Sequence, residues 1–265
     1  MFSSVFTKTI YEKRWMMLFW SIGVIGMALL MMAFYHSFSG GGFDELLKNL
    51  PKSFQGLVGN LNELKTVGGY VSQEVFALRI PLLTLIMGIV LFTGLIAGDE
   101  SEGTLQTLLT QPISRLQLLL EKFLAGLFIS FVICASAIAG VMLGTALIHE
   151  HMNLVRLFQA VVGVWLLTVA CGSIGFMFGA ITGKKGLAGS VAGLLTFSFY
   201  MITSFAGSVS WLARPEKLSL FHYYNNPGIA LYGLKGSNVI VMVGIIAILL
   251  VVSAVVFQKR DIYQR

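Results

Sequence analysis

The chain has 265 residues, of which 56% are hydrophobic and 11% charged, against roughly 45–50% apolar and about 25% charged for an average soluble domain. Such a composition excludes a water-soluble globule, because the charges are confined to short stretches between long uncharged runs and cannot cover a surface. The formal net charge of +6 does not indicate nucleic acid either: there is no basic face with interleaved readout residues, and Lys and Arg stand beside the ends of apolar runs, as in a chain oriented by charge in a lipid membrane.

Crossing about 30 Å of hydrocarbon takes about 20 mainly apolar residues at a rise of about 1.5 Å each. Six stretches meet that requirement: residues 15–38, 75–97, 123–148, 157–182, 187–207 and 238–257. The first follows Lys8, Lys13 and Arg14, as a signal h-region would. Its uncharged run is much longer than an h-region, and no A-x-A site follows, so it reads as a retained helix. Arg79 is the single formal charge within the six. It lies near the N-terminal end of its span, two residues before Pro81, and reads as a snorkelling anchor. Cys134 and Cys171 fall inside apolar runs, where a thiol is a small buried hydrophobe and no spacing suggests a metal.

Placing the N-terminus in the cytoplasm puts Lys8, Lys13, Arg14, Arg115, Lys122, Lys184, Lys185, Lys259, Arg260 and Arg265 inside, ten of the 18 basic residues, on segments shorter in total than the outside loops. Both termini are then cytoplasmic. The outer loop 39–74 opens with Gly40, Gly41 and Gly42, then spaces Phe43, Leu46, Leu47, Leu50, Phe54 and Leu57 amphipathically. That spacing predicts short helices lying on the outer surface or capping the bundle. His149, Glu150 and His151 form a ligand-like cluster, but adjacent residues in a short loop seldom converge on one ion, so a solvated turn is expected. The loop before the last span carries Trp211, Phe221, His222, Tyr223, Tyr224 and Tyr232, with Pro215 and Pro227 interrupting any continuous helix, and predicts a re-entrant or surface hairpin. Small residues recur at four-residue spacing as Gly140 and Gly144, Gly175 and Gly179, and Gly189 and Gly193, a sign of close helix packing.

Residues 98–122, GDESEGTLQTLLTQPISRLQLLLEK, hold the densest charge in the chain. They read as a helix, a stop and a second helix. Asp99 or Ser101 caps the first helix, Asp99, Glu100 and Glu102 place negative charge at its positive end, and Leu105, Leu108 and Leu109 share a face. Pro112 ends that helix, and Ser114 with Gln117 makes the S-x-x-Q capping box of one running into the third span. An elbow with an apolar stripe lies on lipid, folds back on the bundle or docks into another protein's groove. Otherwise it is a solvated connection between two helices.

The segment resembles the membrane subunits of type-2 ABC exporters through Glu100, Glu102, Gly103, Thr104, Leu105, Leu108, Leu109, Pro112, Ile113, Ser114, Arg115, Leu118, Leu119 and Lys122. The likeness is close over residues 98–122 and architectural elsewhere. It implies an all-α integral membrane fold, with residues 1–265 forming one transmembrane domain of six transmembrane helices. An N-terminal amphipathic interfacial helix (2–14), a cytoplasmic coupling helix (102–110) and the hairpin before the last span complete it. It also implies that Glu100, Glu102, Gly103, Thr104, Leu105, Leu108, Leu109, Pro112, Ser114 and Arg115 dock on an ABC ATPase subunit in the cell membrane. A second copy or a homologous permease would complete the pathway, and a small-molecule, peptide or lipid substrate of amphipathic or hydrophobic character would be exported. The sequence has no GxxxxGK(S/T) phosphate loop, so ATP and Mg are expected on the ATPase subunit, with no cofactor, no metal and no enzymatic activity in this chain.

Two other classes of function stay open. A secondary carrier or channel without ATP coupling needs ion ligands or relay groups at membrane depth, and the six stretches are nearly free of them. A membrane scaffold or sensor makes no such demand. An intramembrane protease is excluded more firmly, since no second aspartate and no Ser and His pair stands at depth beside Asp99.

Overall fold

The computed structural model describes residues 4–36, 66–105, 113–207, 209, 211–212, 214–224 and 228–260, which form helices and turns without a strand. A short helix, α1 (Val5–Glu12), leads through Lys13 into α2 (Arg14–Ala33). The long helices that follow are α3 (Val67–Ser101), α4 (Arg115–Leu147), α5 (Leu154–Thr182) and α6 (Lys185–Phe205). Two short helices, α7 (Leu220–Tyr224) and α8 (Ile229–Tyr232), precede α9 (Gly236–Lys259). Six of these, α2 to α6 and α9, are long and apolar enough to cross a membrane, so each expected span is present. Phe2 and the amphipathic run 39–65 lie outside the described residues.

The largest departure from expectation is α3, which begins at Val67 instead of residue 75. Thr66 caps it, its hydroxyl accepting from the Gly69 N–H at 3.2 Å. The side chains of two of the polar residues that looked like loop find partners. Ser72 Oγ accepts from the Ala230 N–H at 3.0 Å, and Glu74 pairs with Arg79. Arg79 is therefore not a lone snorkelling charge. Residues Val71–Arg79 wind as a π-helix, whose i→i+5 repeat brings positions 74 and 79 to one side.

That winding also explains a contact to the hairpin. The Ile80 N–H bonds the Val75 carbonyl, and the next residue, Pro81, has no N–H to offer Phe76. The Tyr224 hydroxyl supplies the missing donor at 2.7 Å. Around it Leu220, Phe221, Tyr224, Ile229 and Ala230 are buried, with α7 and α8 packed against α3, α5, α6 and α9. The expected hairpin is thus a wedge in one end of the bundle, and Trp211 and Tyr232 stay exposed.

Burial does not follow apolarity. In α5 and α3, 78% and 72% of the most apolar stretch is buried inside the chain, but only 17% in α9, the most apolar of the six. Lipid is as apolar as leucine, so helices associate where small residues let backbones approach. Gly140 and Gly144 are such places: an added Cβ would lie 2.7 Å from Ala28 Cβ at the first and 2.5 Å from Met32 Cβ at the second. Gly175 faces Thr93 Cγ2 at 2.5 Å, whereas Gly189 and Gly193 have nothing within 4 Å. Only some of the glycine pairs are packing sites within this chain. Thr84 and Thr168, both buried, hydrogen-bond at 3.0 Å between α3 and α5, and Cys134 and Cys171 are buried free thiols.

Replacing Gly144 by Leu should separate α2 from α4 and destabilise the protein by about 1–3 kcal/mol, read from SDS-titrated unfolding in detergent, while Gly189→Leu should change nothing. Tyr224→Phe should cost about 1 kcal/mol by removing the hydroxyl's buried hydrogen bond to the Phe76 carbonyl, measured in the same assay.

Candidate functional site

The elbow between α3 and α4 starts from a helix end, not from a helix beginning. α3 runs through a π-wound turn, Gly94–Gly98, to Ser101. Asp99 and Glu100 therefore occupy its C-terminal turn, and the expectation that Asp99 or Ser101 caps the N-terminus of a new helix is corrected. Ser101 Oγ donates to the Gly98 carbonyl at 2.8 Å and Thr104 Oγ1 to the Asp99 carbonyl at 3.1 Å. Gly103 has φ +74 and closes the end, because the left-handed backbone after a helix is open to glycine at little cost. The E-G-T sequence carried that stop signal, which the charge pattern obscured.

Two carboxylates at the negative end of a helix dipole are unfavourable by themselves. Each is met by a cation from another element. Asp99 pairs with Lys122 of α4, whose side chain is only 2% exposed. Glu100 pairs with Arg260, which follows α9. Arg260 Nη1 also donates to the Ala180 carbonyl at 2.8 Å, and Arg115 Nη1 donates to the Arg260 carbonyl at 2.7 Å. Gly183, at φ +65, leaves room for this cluster, since a Cβ there would collide with both Arg260 and Glu100.

The second arm begins as expected at Ser114, whose Oγ accepts from the Gln117 N–H at 3.1 Å. The Gln117 side chain reaches forward to Glu121 Oε1 at 2.8 Å. Glu121 Oε2 in turn accepts from the Phe6 N–H at 3.1 Å, satisfying a donor at the start of α1 that has no helical partner. Phe6 and Phe128 meet edge to face at 6.2 Å, so α1 is fastened to the first turns of α4.

Residues 4–262 match the family described as ABC-2 family transporter protein. The chain belongs to that family. No curated protein is significantly similar to it in sequence. Membership makes it a membrane permease of an ABC transporter, the class to which residues 98–122 pointed.

Within this ABC-2 permease the expected docking residues fall into separate settings. Glu102, Gly103 and Thr104 are exposed together with Ser101, and Ser114 is exposed at the start of α4. Glu100 and Arg115 are half-buried in the ionic cluster, and Leu105 is fully buried. Leu108, Leu109 and Pro112 lie outside the described residues. Arg260 and Gly183 were not singled out from sequence, where they read only as a basic flank and one glycine among 29. His149, Glu150 and His151 form a turn, with His149 at φ +58, and no group of three metal-binding side chains exists among the described residues.

Asp99→Asn would leave the Lys122 ammonium buried without its counter-charge and should cost about 3–5 kcal/mol, whereas the double change Asp99→Asn with Lys122→Met should recover most of it. Detergent unfolding of the three forms measures the difference.

Proposed function

We propose that this permease exports an amphipathic or hydrophobic compound, a drug, peptide or lipid, driven by a separate ABC ATPase subunit that holds ATP and Mg and docks on the elbow. The observation that carries the reading is the exposed turn 101–104 between two spans whose adjoining ends are ion-paired to their neighbours. A push on a turn held this way becomes rigid-body motion of α3 and α4, and packed bundles respond to such motion by switching between discrete arrangements. Lys8, Lys13, Arg14, Arg115, Lys122, Lys184, Lys185, Lys259 and Arg260 flank the same helix ends, which supports a cytoplasmic elbow and cytoplasmic termini in the plasma membrane.

An apolar groove of about 380 Å³ between α3 and α6, lined by Leu78, Leu82, Ile86, Phe197, Tyr200 and Phe221, supports a substrate of low polarity. The lightly buried faces of α2, α6 and α9 support pairing with a second copy or a homologous permease.

Co-expression with a candidate ABC ATPase tests the docking. The wild-type permease should retain the ATPase through purification, and Glu102→Arg should reduce its recovery at least tenfold with membrane insertion and thermal stability unchanged. Trp211→Ala, at the opposite end, should have no effect. Full recovery of the ATPase with Glu102→Arg would remove the elbow from the docking surface.

A further inference from the structure

We infer that Arg260 is a positioning residue that clamps the last span to both arms of the elbow, so that α9 is carried with it. The consequence for transport rests on the docking proposed above, but the clamp itself does not. Arg260 follows α9 directly and bonds three other elements. Its guanidinium holds Glu100 at the end of α3 and the Ala180 carbonyl near the end of α5, and its own carbonyl takes Arg115 from the start of α4. Glu100 precedes the elbow in the chain and Arg115 follows it, so one residue grips both sides.

The grip adds direction to the packing of α9. Met242, Ser253 and Phe257 are buried, and Val239, Ile245, Ile246, Leu249, Leu250 and Ala254 pack partly buried against the core, mostly on α5. Apolar packing in lipid is not directional, so the polar contacts help fix where the end of α9 sits. The clasp is also incompletely satisfied: Glu100 Oε2 is buried with no hydrogen-bond partner among the described residues. A part-buried pair with one oxygen unmatched contributes little to net stability, so its effect is on where α9 sits. Gly183 favours closure, because its φ of +65 suits glycine and a Cβ there would press on the ends of both charged side chains.

The test places spin labels on the exposed positions Ser101→Cys and Gln258→Cys of the full permease in lipid nanodiscs, with the two native thiols buried. Wild-type and Arg260→Lys proteins should give one narrow distance. Glu100→Gln, Arg260→Gln and Gly183→Ala should each broaden it at least twofold, and the double variant Glu100→Gln with Arg260→Gln should be no broader than either single one. A distance that stays narrow in the three single variants, or is already broad in the wild type, overturns the clamp. Adding the ATPase with ATP and vanadate should leave the wild-type distance narrow and unshifted. A nucleotide-driven change as large as that of Glu100→Gln also overturns it. An ATPase that fails to co-purify with the wild type refutes the docking and leaves the nucleotide-free result to decide the clamp.

Discussion

The constraint on which the whole molecule depends is that lipid gives helices no reason to attract one another through apolar surface. What remains is close backbone approach, hydrogen bonding that leaves no backbone group stranded, and charge pairing where the helices end. α5 and α3 form the interior because they carry these features, with Thr168 against Thr84 and Gly175 against Thr93. α9, the most apolar helix, packs on α5 along one side and is least buried elsewhere. The same logic fixes the hairpin, where Pro81 has no N–H to continue the helical ladder and the Tyr224 hydroxyl donates to the Phe76 carbonyl.

At the elbow end this constraint produces an ionic layer. Carrying α3 past its apolar run to Ser101 sets Asp99 and Glu100 at the wrong pole of the helix dipole, and two cations from α4 and the end of α9 offset that placement. Lys122 is drawn almost fully out of solvent to do so. The layer joins helices that are far apart in sequence and leaves the short turn 101–104 outside it. A surface that projects from a braced frame is suited to receive force, in the way a handle is useful only when it is attached to the door.

Several elements were legible in the sequence because they depend on local chemistry. The six spans follow from length and hydropathy, the start of α4 from Ser114 as an N-cap, and the break before α9 from Pro215. The family was recognisable from the order of residues 98–122 alone. Errors arose where a polar residue was judged by its type without its partner. Glu74 made the expected second span start too late, because its pairing with Arg79 depends on π-winding. Asp99 was read as a cap because acids near a turn usually begin helices, while Gly103, the actual stop, was read only as a docking residue.

Taken alone, the sequence determined an all-helical membrane protein, the number of its spans, and its family through one segment of ordered residues. These follow from properties each segment has in isolation. Tertiary structure alone decided which apolar helices lie inside, which glycines are contacts, and that Arg260, at the far end of the chain, meets Glu100. Apolarity cannot rank helices for burial in a solvent that is itself apolar, and an ion pair spanning residues 100 to 260 leaves no periodic trace in either partner's neighbourhood.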